Sequence, residues 1–514
     1  MNGATSPAPL AVARAIMAVP PFPGAKPHPV VQARSEGGPA PSASPAQLIA
    51  ALREHRVGGS FWLPESVWST PDEAVSGSGA DPVLLLAAIA GKRIRSESEG
   101  PFAILSGMEP GSPDAECRIE DLVDRYLLRD VAYADPFTGD PANPVALIDS
   151  LAGWRDLIDA NRPLAAAFGF AHWKRDTVAP LLWGGHAVPF RSASRSALDA
   201  LPPGAAVAVW KARVPAAFLA ELEYGPWRIL EVEDGFIRSA GLGADCVPPL
   251  SIVVDDLGVH YDPSRPSRLE EMLARDDTSP ADRARAQRLC AWLVREGVSK
   301  YGVGGGAAVP RLGGSKRHIL VVGQVEDDRS VLSGGGDVRS NLELLRRVRR
   351  DAPDAWIVYR PHPDVEAGHR RGAIPAPAAL SLADAIDAES PISGLIAMSD
   401  EVHVITSLAG FEALLQGRTV VTHGTPFFAG WGLTRDLAAP VSRRGKPLSI
   451  DALAAAVLLR YPRYLDPVTN LPCPAEIVVR RLLSGVQREN IALVQSRRLV
   501  GWARRAFAQL VGTR

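Results

Sequence analysis

The feature that most restricts the fold is an alternation of short apolar runs with amphipathic stretches, and it occurs twice. In the second half of the chain "HILVVGQ" (318–324), "AWIVYR" (355–360), "EVHVIT" (401–406) and "TVVTHG" (419–424) read as buried strands. Between them lie "SNLELLRRVRRDAP" (340–353), an amphipathic helix whose Ser340 and Glu343 predict a capping box, and "GFEALLQG" (410–417), a helix stopped by Gly417. Upstream, "AAVAVW" (205–210), "WRILEVED" (227–234) and "LSIVVDD" (250–256) are strands, and residues 279–299 form a helix opened by Ser279-Pro280. A Gly-rich stretch, "VGGGAAVPRLGGSK" (303–316), separates the two series and reads as a linker; "QARSEGGPAPSASPAQL" (32–48) reads as a flexible loop. Strand–helix alternation on both sides of a linker predicts an α/β protein with two doubly wound, Rossmann-like domains facing each other across a cleft.

The N-terminal third repeats part of this pattern. "KPHPVVQA" (26–33) aligns with "RPHPDVEA" (360–367), and "IAGKRIRSESEGPF" (89–102) with "LQGRTVVTHGTPF" (415–427). "IEDLVDRYLLRDVAYADPFTGDP" (119–141) matches "IDALAAAVLLRYPRYLDPVTNLP" (450–472), with Arg129/Arg460, Tyr133/Tyr464 and Asp135/Asp466 each 331 positions apart. The first copy looks incomplete, holding only the half of a unit that follows the linker. Where the second copy has "ITSLAGFE" (405–412), the first has "GADPVLLL" (79–86). Residues 1–160 therefore read as a degenerate remnant of a module whose intact form starts near residue 165.

Composition excludes several classes. A net charge of −1 over 514 residues gives no global basic field, so nucleic acid is not an expected partner. Four cysteines without CxxC spacing argue against a zinc site or a disulfide framework and fit a reducing compartment. No run of 18 apolar residues is present, so no membrane span is expected. The N-terminus lacks a charged start followed by a clean apolar core, so no signal peptide is expected.

The intact module carries "EVEDGFIRSAGLG" (231–243), "PPLSIVVDDLGVHYD" (248–262), "VVGQVEDDRSV" (321–331), "NLELLRRVR" (341–349), "YRPHPDVEAGHRRG" (359–372), "DEVHVITSLAGFEALLQGRTVVTHGTPFFAGWGLT" (400–434) and "RYPRYLDPVT" (460–469). In this order they resemble the capsular polysaccharide β-Kdo transferases of the KpsC type. The resemblance implies a GT-B-like glycosyltransferase fold, with residues 165–305 as the acceptor-side domain and 317–486 as the CMP-sugar domain. It implies transfer of Kdo from CMP-Kdo, with retention, to a Kdo-primed glycolipid in Gram-negative capsule linker synthesis. Members usually carry two tandem modules, whereas only one is intact here. The alternatives are a non-catalytic capsule assembly or export partner, and a transferase for another CMP-linked ulosonic acid.

The motifs supply candidates for each task. His362 follows a strand between two prolines, at the sheet edge where ligands bind; its imidazole suits a phosphate, and a capping histidine is the plainer reading. Thr406 and Ser407 run into a helix whose N-terminus favours phosphate, although ordinary N-capping uses the same residues. With Gln324 and Glu412 they make up the donor-binding set that the resemblance implies, Glu412 accepting from the ribose. A retaining two-step mechanism needs a carboxylate near the anomeric carbon. Asp328 is the first choice, with Asp327 and Glu326 next; a solvated acidic turn is the bland alternative. Glu233, Asp234 and Arg238 are assigned to the acceptor side or the sugar carboxylate, against the reading of a salt-bridged loop.

Asp255-Asp256 is read as a turn rather than a metal site, and no metal or other cofactor is expected. Trp431 is read as packing in preference to stacking. Residues 487–514 end in "SRRLVGWARRAFAQLVGTR", a predicted basic amphipathic helix that suits an anionic membrane surface or packs on the body. The resulting expectation is a cytoplasmic protein, peripheral on the inner face of the inner membrane. Its expected partners are CMP-Kdo, a lipid-linked Kdo acceptor, a second Kdo transferase and the capsule export machinery.

Overall fold

Apolar strands that are buried on both faces place the core of the computed structural model in two sheets. The structure describes residues 7–35, 42–69, 74–239, 246–300, 302–303, 308–368 and 370–486. The predicted C-terminal amphipathic helix lies outside the described residues. The chain divides into two compact units: residues 1–164, 179–189 and 468–473 make up the first, and residues 165–178, 190–467 and 474–514 the second.

The larger unit contains both predicted α/β halves. The sheet of its C-terminal half is wholly parallel, in the order Ala385–Ile386, Trp356–Arg360, His318–Val322, Glu401–Val404, Thr419–Thr422, Arg435–Asp436. In chain order this is 3-2-1-4-5-6, so the direction of winding reverses between His318–Val322 and Glu401–Val404. A crevice opens at such a switch point, beyond the C-terminal strand ends. All five residues of His318–Val322 are buried, as a central parallel strand requires. Helix Asn341–Asp351 packs Leu344, Leu345 and Val348 onto this sheet. Ser340 caps it as expected, but Glu343 turns to Arg347 (2.9 Å) rather than back to the cap, so only half of the predicted capping box forms.

The other sheet is mixed, a departure from a purely parallel reading. Within this unit it runs Phe190–Arg191, Leu164–Phe168, Ala206–Val209, Arg228–Asp234, Ser251–Asp255, Pro462–Leu465. Arg228–Asp234 is parallel to Ala206–Val209, whereas Ser251–Asp255 is antiparallel to both of its neighbours. Helix Pro280–Glu296 begins at the predicted Ser279 cap and ends at Gly297, whose φ of 64° closes the helix in the left-handed region.

The smaller unit repeats pieces of the larger one. Strand Val75–Gly77, helix Pro82–Ile89 and strand Ile94–Ser96 form a parallel βαβ, like Glu401–Val404, Leu408–Leu415 and Thr419–Thr422. Helix Pro113–Val123 widens into a π-turn in which Arg129 N–H donates to Asp124 O; the turn at Ala455–Arg460 has its like in Tyr461 N–H to Ala456 O. The Tyr133 hydroxyl donates to Leu127 O (2.6 Å) and that of Tyr464 to Leu458 O (2.8 Å), one pattern 331 positions apart.

The first histidine match fails, however. Among the described residues no strand precedes His28, and the residues after it form strand Val31–Ala33, whereas those after His362 form helix Pro363–Glu366. Val31 pairs with Tyr133 as Ser251 pairs with Tyr464, and Val30 O accepts from Ala134 as Leu250 O accepts from Leu465. "KPHPV" is thus the counterpart of "CVPPL" (246–250). Helix Pro45–His55, opened by Ser44-Pro45-Ala46, likewise corresponds to the helix opened by Ser279-Pro280-Ala281. The remnant therefore keeps parts of both halves of a module, not only the half after the linker.

Candidate active site

The crevice at the switch point is one cleft of about 910 Å³, walled by both halves of the larger unit. One wall is organised by Gln324, which follows strand His318–Val322. The Gln324 side-chain oxygen accepts from the backbone N–H groups of Ile405 (3.1 Å) and Thr406 (2.8 Å), and its amide donates to Thr406 Oγ1 (3.0 Å). Asn341 in turn holds the Gln324 backbone through two 2.8 Å bonds. Gln324 thus ties the two central strand ends together and orients Thr406.

Ser407 caps helix Leu408–Leu415, its hydroxyl accepting from Ala409 N–H (3.3 Å). Ser407, Leu408 and Ala409 at the start of that helix line the cleft, so its positive dipole end is directed there, the arrangement that favours an anion. Gly410 allows the close approach of Phe428: an added Cβ would come within 2.7 Å of that ring.

His362 caps the short helix after it by accepting Asp364 N–H at Nδ1 (3.1 Å). That bond puts the proton on Nε2, and burial, reinforced by the charge of Lys300, brings its pKa down to about 4. At neutral pH His362 is an uncharged Nε2–H donor, and both the capping and the site readings hold for it. Glu412 accepts Lys300 N–H (3.0 Å), and burial raises its pKa to about 7, against that bond and the Lys300 charge.

The acidic turn separates into three roles. Glu326 accepts the N–H of Asn341 (2.8 Å) at the start of helix Asn341–Asp351 and is not part of the cleft wall. Asp327 lines the cleft and pairs with Arg370 at 3.3 Å. Asp328 lines the cleft and caps helix Arg329–Gly334 through Ser330 N–H (2.9 Å) and Ser330 Oγ (2.8 Å), so one of its oxygens is fixed by the fold.

From the opposite wall, strand Arg228–Asp234 delivers Glu233 and Asp234. Glu233 rises to a pKa of about 7, chiefly through burial and then through the charges of Asp234 and Asp328, against the pull of Lys174. Glu233 and Asp328 line the same cleft. The Tyr261 hydroxyl lies 3.4 Å from Glu233. Asp234 is also buried, but the charges of Arg238 and Lys174 outweigh that and hold its carboxyl below the usual range. Arg238, 1% exposed, donates to Asp234 (2.8 Å), Ser239 Oγ (2.6 Å) and Val247 O (2.9 Å). It lines the cleft and ties Asp234, Ser239 and Val247 together, so three of its N–H groups are already engaged.

Sequence reasoning passed over Lys174, His260, Tyr261 and Lys300, which all line this cleft. Lys174 sits over the Trp210 ring (3.4 Å to the centroid) and pairs with Asp234 at 3.1 Å. The only signal for it was a lysine among aromatics in "HWKRD". Asp255 accepts the N–H groups of Leu257, Gly258 and Arg268 and the hydroxyl of Tyr461, and Asp256 pairs with Arg268; both serve the turn. Among the described residues no cluster of three or more His, Cys, Asp or Glu is arranged to hold a metal. Trp431 is fully buried and donates to Phe427 O, which makes it packing. Among the described residues no helix is long and apolar enough to cross a membrane.

Comparison with known proteins agrees with this geometry. The family model described as capsule polysaccharide biosynthesis protein matches residues 212–301 and 306–464. The chain is 38% identical over 373 residues to the capsule polysaccharide modification protein LipA of Neisseria meningitidis serogroup B, covering 70% of this chain and 51% of LipA. It thus spans about half the length of that relative. It is 37% identical over 328 residues to the lipopolysaccharide-processing protein LpsZ of Rhizobium meliloti, covering 62% of this chain and 73% of LpsZ. Two solved structures of Thermosulfurimonas dismutans KpsC match 62% of this chain and 98% of their own. They are the beta Kdo 2,7 transferase (TM-score 0.51, 34% identity) and the beta Kdo 2,4 transferase (TM-score 0.53, 29% identity). The paired sheets, the cleft between them and these matches agree: the fold is GT-B-like, and the chain belongs to the capsule polysaccharide biosynthesis protein family.

Proposed function

We propose that the larger unit is a retaining β-Kdo glycosyltransferase that moves Kdo from CMP-Kdo to a Kdo-primed glycolipid in capsule linker synthesis. One observation carries the reading: a single cleft joins a phosphate-type helix N-terminus, with Thr406, Ser407 and His362, to two carboxylates, Asp328 and Glu233. The solved Kdo transferases that the chain resembles support it.

In this mechanism the first turn of helix Leu408–Leu415, the Ser407 hydroxyl and the Nε2–H of His362 bind the CMP phosphate and stabilise the charge it gains on leaving. Glu412 accepts from a ribose hydroxyl. The Asp328 carboxylate attacks the anomeric carbon as the bond to CMP breaks, and the electron pair leaves with the phosphate. The acceptor hydroxyl then displaces Asp328 from the opposite face, the one that CMP left, and Glu233, poised near neutrality, takes its proton. Two inversions give net retention. Side chains and helix N–H groups carry the leaving-group charge, so no step calls for a metal. A peripheral position at the cytoplasmic face of the inner membrane, where a lipid-linked acceptor lies, completes the proposal, with the export machinery and a second transferase as partners.

The test is incubation of the full chain with CMP-Kdo and a Kdo-primed lipid analogue, with Asp328→Asn as control. CMP release with a β-linked product in the wild type only is expected. No CMP release and no product from the wild type contradict the proposal and leave a non-catalytic assembly partner. Turnover of a different CMP-linked ulosonic acid in preference to CMP-Kdo corrects the donor.

A further inference from the structure

The sugar to be transferred carries a carboxylate beside its anomeric carbon, and the obvious cation for it, Arg238, already serves Asp234, Ser239 and Val247. A different part of the cleft wall has the right chemistry. His260 follows strand Ser251–Asp255, and its ring is boxed by Phe236, Tyr261, Phe427 and Tyr461, with ring centroids 4.9, 5.6, 5.7 and 6.0 Å away. Within this apolar box Nδ1 is buried and meets no hydrogen-bond partner. A proton there would be a stranded donor, so it sits on Nε2, and the imidazole lines the cleft as an unused N–H donor.

Lys300 lines the same cleft. Its backbone joins the two halves, with Lys300 O near the N–H groups of Arg238 and Ser239 (3.4 Å each) and its own N–H donating to Glu412. Lys300, His260 and His362 all line this one cleft.

We infer that His260 and Lys300 form the subsite for the carboxylate of the acidic sugar, in the same cleft as the phosphate site at Ser407 and His362. The neutral imidazole gives one directed hydrogen bond and the ammonium gives charge, while Phe236 and Phe427 keep water from the pair. Arg238 and Asp234 hold the wall behind it. The inference rests on the CMP-Kdo reading and adds the residues that select an acidic sugar over a neutral one.

CMP lacks the sugar carboxylate, which separates this subsite from the nucleotide site. Calorimetry with CMP and steady-state kinetics with CMP-Kdo are measured on the full chain for His260→Phe, His260→Gln and Lys300→Met. Phe keeps the packing without the donor, and Gln restores a side-chain N–H. The expected result is a KM for CMP-Kdo raised about 10-fold or more in His260→Phe and Lys300→Met. His260→Gln should recover most of that loss, and CMP affinity should stay within about 2-fold in all three. The retained CMP affinity also shows that the variants fold. A CMP affinity that weakens in step with KM overturns the assignment, as does an unchanged KM. A wild type that binds CMP but does not turn over CMP-Kdo overturns the donor reading, and the subsite falls with it.

Discussion

The chain contains the same βαβ twice, and only one copy has the chemistry of a site. Strands Val75–Gly77 and Ile94–Ser96 flank helix Pro82–Ile89 in the smaller unit; Glu401–Val404 and Thr419–Thr422 flank helix Leu408–Leu415 in the larger. Both helices are capped at the strand–helix junction, by Asp81 through Val83 N–H (2.9 Å) and by Ser407 through Ala409 N–H (3.3 Å). As caps the two residues are nearly equivalent. As neighbours of a phosphate they are opposites, because a carboxylate there repels what a hydroxyl binds. Ala80 stands where the second copy has Thr406, and the buried Leu86 where it has Glu412. Leu84, Leu85, Ala87 and Ile89 are all buried, so the first copy has kept the packing role and lost the polar one. Fold and site are separable here: burial preserves the first, and a few junction residues decide the second.

The largest effect expected concerns the turn with Asp328, an element of the larger unit. Asp328→Asn keeps a competent cap on helix Arg329–Gly334 and removes the proposed nucleophile, so the transfer rate should fall by about 10³-fold or more with CMP affinity unchanged. Next is Ser407→Asp, which writes the first copy's cap into the second. Capping and Tm should persist, while calorimetric affinity for CMP falls by about 100-fold.

Glu412→Gln has a smaller effect with a defined sign. The Glu412 pKa is raised from 4.5 to about 7, so its stabilising contribution is complete below pH 4.5 and is lost as pH rises through 7. The glutamine variant lacks this loss. By thermal unfolding, wild type should lose about 1–3 kcal/mol relative to the variant between pH 5 and 8. The smallest effect is Asp81→Ser in the smaller unit: a stability change within about 0.5 kcal/mol and no added CMP site.

Most of the architecture was legible because it rests on periodicity. The apolar runs at 318–322, 356–360, 401–404 and 419–422 are strands, and Ser340, Ser279 and Gly417 end helices where such residues should. The tyrosine repeat at 133 and 464 was legible because each hydroxyl locks the same turn. The "KPHP" match misled because two prolines and a histidine specify a stiff segment, not its continuation: strand pairing decides that, and it aligns Val31 with Ser251. Arg238 looked like a ligand-binding group because sequence does not show which acceptors a buried guanidinium already has. Lys174, His260 and Lys300 were missed for a related reason. They reach one cleft from loops and a helix far apart in sequence, and no spacing rule joins them.

The direct test of the central claim, one working site and one remnant, is the stoichiometry of CMP binding. Isothermal titration of the full chain should give one CMP per chain in the wild type and in Asp81→Ser, and none measurable in Ser407→Asp at the same concentrations. Two sites per chain, or binding that survives Ser407→Asp undiminished, would contradict it.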